Sequence, residues 1–152
     1  MSARELELLL AADDPIECEQ PAGFDWQLAV ASVRDLKPRL EAVAERSFML
    51  CDSVQDASYF ASLDIFKETR EGAMRVMLTV FGLTFSAFGK LFSSWEGCPD
   101  ERLDDDIIVQ LIDLTAAAGF VYISPETLRL PYTGPNPAFV GRDWAARYFD
   151  YS

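Results

Sequence analysis

The side chains best suited to chemistry in this chain are carboxylates and thiols, and the partner that most often activates them is absent. The sequence contains no histidine. That excludes Ser-His-Asp and Cys-His nucleophilic arrangements and the usual zinc sites. It also removes the commonest general base near neutral pH. The thiols are Cys18, Cys51 and Cys98, an odd number with no C-x-x-C pair. This pattern points to reduced thiols in a cytoplasm, each acting as a small apolar residue. Cys51 opens the stretch CDSVQDASY. With no histidine to act as its base, the stretch reads as a turn braced by Asp and Ser side chains. The stretch GLTFSAFGK has two glycines but neither the spacing nor the helix start of a phosphate loop. No catalytic residue, metal ligand or cofactor-binding residue is assigned, and no cofactor is expected.

The carboxylates are clustered. The net charge is −12 over 152 residues. In residues 1–23, Arg4 alone faces Glu5, Glu7, Asp13, Asp14, Glu17 and Glu19. In residues 96–113, Arg102 alone faces Glu96, Asp100, Glu101, Asp104, Asp105, Asp106 and Asp113. The triplet Asp104-Asp105-Asp106 lacks the alternating oxygen ligands and Gly turn of a calcium loop. In the first turn of a helix such carboxylates complement the positive end of the dipole, each by about 0.3–1 kcal/mol. A localised negative field also repels nucleic acid and anionic lipid and steers basic proteins into fast encounter. Glu101, Asp104, Asp105, Asp106, Asp13, Asp14, Glu17 and Glu19 are therefore the candidate partner-binding residues.

The elements that must position these groups follow from periodicity. Leu6, Leu9 and Leu10 predict a helix over about 3–12, with Ser2 as its N-cap and Pro15 beyond its end. Leu36, Leu40, Val43 and Ala44 share a helical face. Because proline is unwelcome in a helix interior, this helix is expected over about 35–46, with Pro38 in its first turn. Trp26–Ala31 fits strand and helix equally. From Phe48 to Trp95 short alternating runs separated by turns predict an antiparallel meander, about 48–95. Within it, AMRVMLTVFGLTF is apolar on both faces and is expected to be a central strand covered on both sides. Ile107, Leu111, Leu114 and Ala118 predict a helix over about 101–118, stopped by Gly119. FVYIS reads as a short strand. Ser124 and Pro125 start a helix of one or two turns. The closing DWAARYFDY alternates, and is expected to be a last strand whose Trp144, Phe149 and Tyr151 close the core. The whole is a single α+β domain, 1–152, with helices on a mainly antiparallel sheet completed by C-terminal strands. No apolar run is long enough to cross a membrane.

The stretch AAAGFVYISPETLRLPYTGPNP, followed by RDWAARYFDYS, resembles the C-terminal part of immunity proteins of bacterial polymorphic-toxin systems, such as those of type VI secretion, Rhs and contact-dependent inhibition. The likeness covers the last third of the chain and lies in a Tyr-Thr-Gly loop and an aromatic closing segment. It implies a non-catalytic cytoplasmic protein that binds and neutralises one cognate toxin, without a cofactor. Together with the acidic clusters, that makes the expected partner a basic protein. Two other classes stay open. One is a small-molecule enzyme with Asp/Glu acid-base chemistry, for which Glu126, Asp143 and Asp150 are the carboxylates near the aromatic tail. The other is a non-catalytic adaptor subunit with a large apolar patch.

Overall fold

The computed structural model describes residues 3–54 and 57–149. Ser2, Asp150 and Tyr151, which carried expectations above, lie outside them. The expected meander forms: β1 (Met49–Cys51), β2 (Tyr59–Glu71), β3 (Met74–Ser86) and β4 (Leu91–Glu96) pair antiparallel in sequence order. A short β5 (Val121–Tyr122) adds to β4 in parallel. The helices are α1 (Ala3–Ala12), α2 (Trp26–Ala44), α3 (Asp105–Ala117), α4 (Pro125–Leu128) and α5 (Trp144–Phe149). The chain is thus an α+β protein with a mainly antiparallel sheet, and no described helix is long and apolar enough to cross a membrane.

Strand alternation sorts the sheet into two faces. The pairs Leu50↔Leu63, Ile65↔Phe81, Leu63↔Leu83 and Phe85↔Phe92 stand on one face. These belong to the core, which continues into α2 through Val30, Val33, Leu36 and Leu40. Phe85 stacks on Phe92 at 5.9 Å between ring centres and meets Phe120 edge-on at 5.0 Å. The other face carries Cys51↔Ser62, Asp64↔Gly82, Thr84↔Ser93 and Gly82↔Trp95. It is polar, and α4 and α5 lie against it beside β4 and β3.

Three expectations about local structure are corrected. The second helix begins at Trp26, not near Asp35, and so resolves Trp26–Ala31 as helix. Asp25 caps it by accepting the Leu28 N–H at 3.0 Å, and Pro38 sits inside it. The apolar stripe Val30, Val33, Leu36, Leu40, Ala44 runs unbroken past the proline, and its burial outweighs one lost hydrogen bond. Pro38 and Arg34, four residues before it, are both exposed, so water can satisfy the carbonyl left without a donor.

The closing segment is helix α5 rather than a strand. Asp143 accepts the Ala146 N–H at 2.8 Å, an N-cap bond that starts the turn. Trp144, Arg147 and Tyr148 then bury one helical face, the i, i+3, i+4 set. The C-terminal strand content is therefore β5, plus an isolated bridge between Pro131 and Asp143.

Strand β3 is central over only part of its length. β4 reaches only Phe81–Phe85 of β3, through Phe92–Glu96, and β1 reaches only Ser62–Asp64 of β2. Beyond these neighbours β2 and β3 run on as a two-stranded ribbon, Phe66–Glu71 against Met74–Thr79. Met74, Met77 and Leu78 on it are exposed, the opposite of the two-sided cover expected there.

Candidate functional site

The two acidic segments fare differently on folding. The Asp13 side chain is removed from the surface. It is 0% exposed, and Arg147 Nε, also on a fully buried side chain, lies 2.6 Å from Asp13 Oδ1. The Tyr132 hydroxyl donates to Asp13 Oδ2 at 2.5 Å. Burial first, and the carboxylate beside it second, push the Tyr132 hydroxyl up to about 12. Arg147 also donates to main-chain oxygens of Cys18 (3.2 Å), Asp14 (3.4 Å) and Glu17 (2.9 Å). Its guanidinium also lies over the rings of Phe88 and Phe139, at 4.4 and 4.8 Å. Asn136 Nδ2 donates to the Asp14 and Glu17 carbonyls, and the Tyr148 hydroxyl to that of Leu9 at 2.6 Å. The N-terminal loop is therefore clamped by the C-terminal helix, and Asp13 is a structural ion, not a partner-binding one.

Asp14 is occupied locally. Its Oδ1 accepts the N–H groups of Glu17 and Ile16, which hold the carboxyl below its usual range. Glu17 and Glu19 are exposed. In the second segment Lys67 Nζ meets Glu101 at 2.6 Å and holds that carboxyl below its usual range. Arg102 bridges Glu96 at 3.1 Å and Asp105 at 2.5 Å. Asp104 and Asp106 stay exposed at the start of α3, where Asp104 occupies the cap position without a side-chain bond. Exposed carboxylates thus survive at both places. Among the described residues no group of three Cys, Asp or Glu side chains is arranged to hold a metal ion.

The most built polar site lies elsewhere, on the polar sheet face. A concavity of about 840 Å³ opens between that face and α4 and α5. Cys51, Ser62, Asp64, Thr84, Ser93 and Trp95 line it from the sheet, and Leu128, Ala145 and Phe149 from the helices. Asp64 is 5% exposed. The Ser62 hydroxyl donates to its Oδ2 at 2.7 Å, and the Cys51 thiol and the Trp95 indole N–H beside it pull the carboxyl in the same direction. Burial still wins: it pushes the Asp64 carboxyl above its usual range against the pull of these donors. Burial and the neighbouring Asp64 raise the Cys51 thiol as well, which makes Cys51 a poor nucleophile.

Compared with known proteins, the chain matches no family model, no curated protein and no solved structure.

Gly82 is what allows that geometry. It stands across from Asp64 on one side and Trp95 on the other. A β-carbon there would collide with Asp64 Oδ1 and Trp95 Nε1, so only glycine lets the carboxylate and the indole meet over the strand. Asp64 is not among the residues that the sequence analysis singles out. The signal was present in YFASLDIF, where the alternation that puts Leu63 and Ile65 inward puts Ser62 and Asp64 together on the opposite face. Glu126 and Asp143, weighed as acid-base candidates, do not line this concavity; Glu126 is exposed and Asp143 caps α5.

Proposed function

We propose that this chain is a binding protein of the immunity class, which neutralises a basic toxin by masking it. The observation that carries the reading is the projecting β2–β3 ribbon with its acidic flank. Its exposed Met74 and Leu78 on one face and Met77 on the other offer adaptable apolar contacts, as methionine side chains do. Leu78 pairs with Lys67, and Lys67 is tied to Glu101, which places the acidic start of α3 beside the ribbon. Exposed Asp104 and Asp106 would lead the encounter with a basic surface, while the desolvated methionines would set residence time. The C-terminal resemblance supports the same class. The expected setting is a cytoplasm.

Co-expression tests it. The chain should restore growth to cells expressing a toxin encoded beside its gene, and the purified pair should associate more slowly as salt rises. An Asp104→Lys/Asp106→Lys variant that protects and associates as fast as the wild type would remove the acidic flank from the reading. Failure to protect against any neighbouring toxin would remove the reading itself.

An acid-base enzyme is the second reading, favoured by one observation: the concavity is lined by two carboxylates, Asp52 and Asp64, of which Asp64 is shifted upward by burial. Turnover abolished by Asp64→Asn, with the fold retained, would be its signature.

A further inference from the structure

We propose that the concavity between the polar sheet face and helices α4 and α5 binds an organic cation, with a guanidinium or primary ammonium group seated against Asp64. The inference stands apart from the toxin reading and rests on different residues.

A carboxylate withdrawn from water requires a counter-charge or enough donors to replace its hydration. Asp64 is 95% withdrawn, yet no Lys or Arg among the described residues makes an ion pair with it. The three donor groups beside it, of which Ser62 is bonded at 2.7 Å and Cys51 and Trp95 lie near, are all neutral, and a thiol is a weak donor. An ionised carboxylate offers about four lone-pair sites. The three neutral donors hold its orientation and leave acceptor capacity for a charged donor coming from the open side. The contrast with Asp13 in the same molecule is informative. That buried carboxylate carries its own arginine; this one faces a cavity instead.

The walls suit a cation with an apolar body. Trp95 is 48% exposed and lines the cavity, and an indole face attracts a guanidinium or ammonium group. Tyr59 and Phe149 add aromatic surface, and Leu128 adds apolar surface. Three charged residues line the site: Asp64, Asp52 and the exposed Arg129. Asp52 is partly engaged by Arg34 at 3.7 Å, and Arg129 gives an anionic tail of the ligand a place to lie. A volume of about 840 Å³ accepts a whole small molecule or a short length of chain. The same cationic head could therefore come from a free amine or from a side chain of a bound polypeptide.

The full-length protein is titrated calorimetrically with two probes, agmatine and Nα-acetyl-arginine methylamide. The Asp64 carboxyl is followed in parallel by its ¹³C resonance as pH is varied. At least one probe should bind, and its binding should lower the pH at which Asp64 titrates. Asp64→Asn, nearly the same shape, should weaken binding about tenfold or more, equivalent to about 1.4 kcal/mol. Preference for agmatine identifies a free amine as the source, and preference for the blocked arginine a polypeptide side chain. If neither probe at millimolar concentration moves the Asp64 titration, or if a folded Asp64→Asn protein binds as the wild type does, the assignment is overturned. Because the Asp64 resonance is read in the unmutated protein, the result does not depend on the variant folding.

Discussion

Two buried charges, Asp13 and Arg147, show how little a residue's type says about its role until its neighbour is known. In sequence Arg147 is one basic residue among aromatics; in the fold it is 0% exposed and ties residues 13–18 to α5. Removing one member of such a pair leaves the other charged and unpaired, at a cost of about 3–5 kcal/mol. Arg147→Met should therefore lower stability by about that amount in urea titration, and Asp13→Asn with Arg147→Met together should cost less than the two separate losses summed. Tyr148→Phe strands the Leu9 carbonyl and should cost about 1–3 kcal/mol on the same assay. Asp64 predicts a pH dependence. Its carboxyl holds its proton more tightly folded than unfolded, so the contribution is present below about pH 4 and is lost as pH rises through the raised folded value. Asp64→Asn should remove that decline. Glu41 acts in the opposite sense: the Phe48 N–H holds its carboxyl below the usual range, so its contribution is lost as pH falls. Urea midpoints from pH 3 to 8, wild type against each variant, separate the two slopes.

Elements obey burial before propensity in this fold. α2 carries Pro38 because its apolar stripe is continuous on both sides of the proline. α5 is a helix because Asp143 caps it and because Trp144, Arg147 and Tyr148 each find a buried partner on that face. Trp144 and Tyr148 stack at 5.9 Å, and Trp144 meets Tyr132 edge-on at 4.7 Å. Deleting residues 143–152 takes away the partner of Asp13 and the aromatic cap together, so the truncated chain should lose its cooperative thermal transition; native-like melting would show α5 to be dispensable. At the strand level, Gly82→Ala forces a β-carbon against Asp64 and Trp95. Overpacking of that kind costs about 1–3 kcal/mol. The Asp64 ¹³C titration should shift in the variant, whereas Gly72→Ala, at a turn with open space around it but a positive φ of 63°, should leave that titration unchanged.

At the scale of the whole molecule, the charge is uneven and only part of it is free to act. Glu101, three residues before the exposed Asp104, is tied to Lys67 on a ribbon that extends past the sheet, while the Asp13 side chain has been withdrawn to hold the two ends of the chain together. Raising salt from low to physiological strength should slow association with a basic partner, because exposed charges are screened beyond a Debye length of about 8 Å. The same change should scarcely affect unfolding through the Asp13–Arg147 pair, which is buried. Stopped-flow association and urea titration across the same salt series test both halves.

The amino-acid order alone determined the α+β class, the antiparallel meander, the helix of residues 105–117 within its expected span, and the capped turn at Ser124. Each is written in local periodicity and cap residues, which act over a few positions of chain. The helix of α5, the burial of Asp13 and the pocket floor at Asp64 were decided by tertiary structure. All three depend on contacts between residues far apart in sequence: 134 positions for Asp13 and Arg147, and strand pairing across the sheet for Asp64, Gly82 and Trp95. Alternation could say that Ser62 and Asp64 share a face. Only strand pairing, which sets Asp64 beside Gly82 and Trp95, and the helices across the concavity turn an ordinary carboxylate into a buried one that no Lys or Arg among the described residues pairs with.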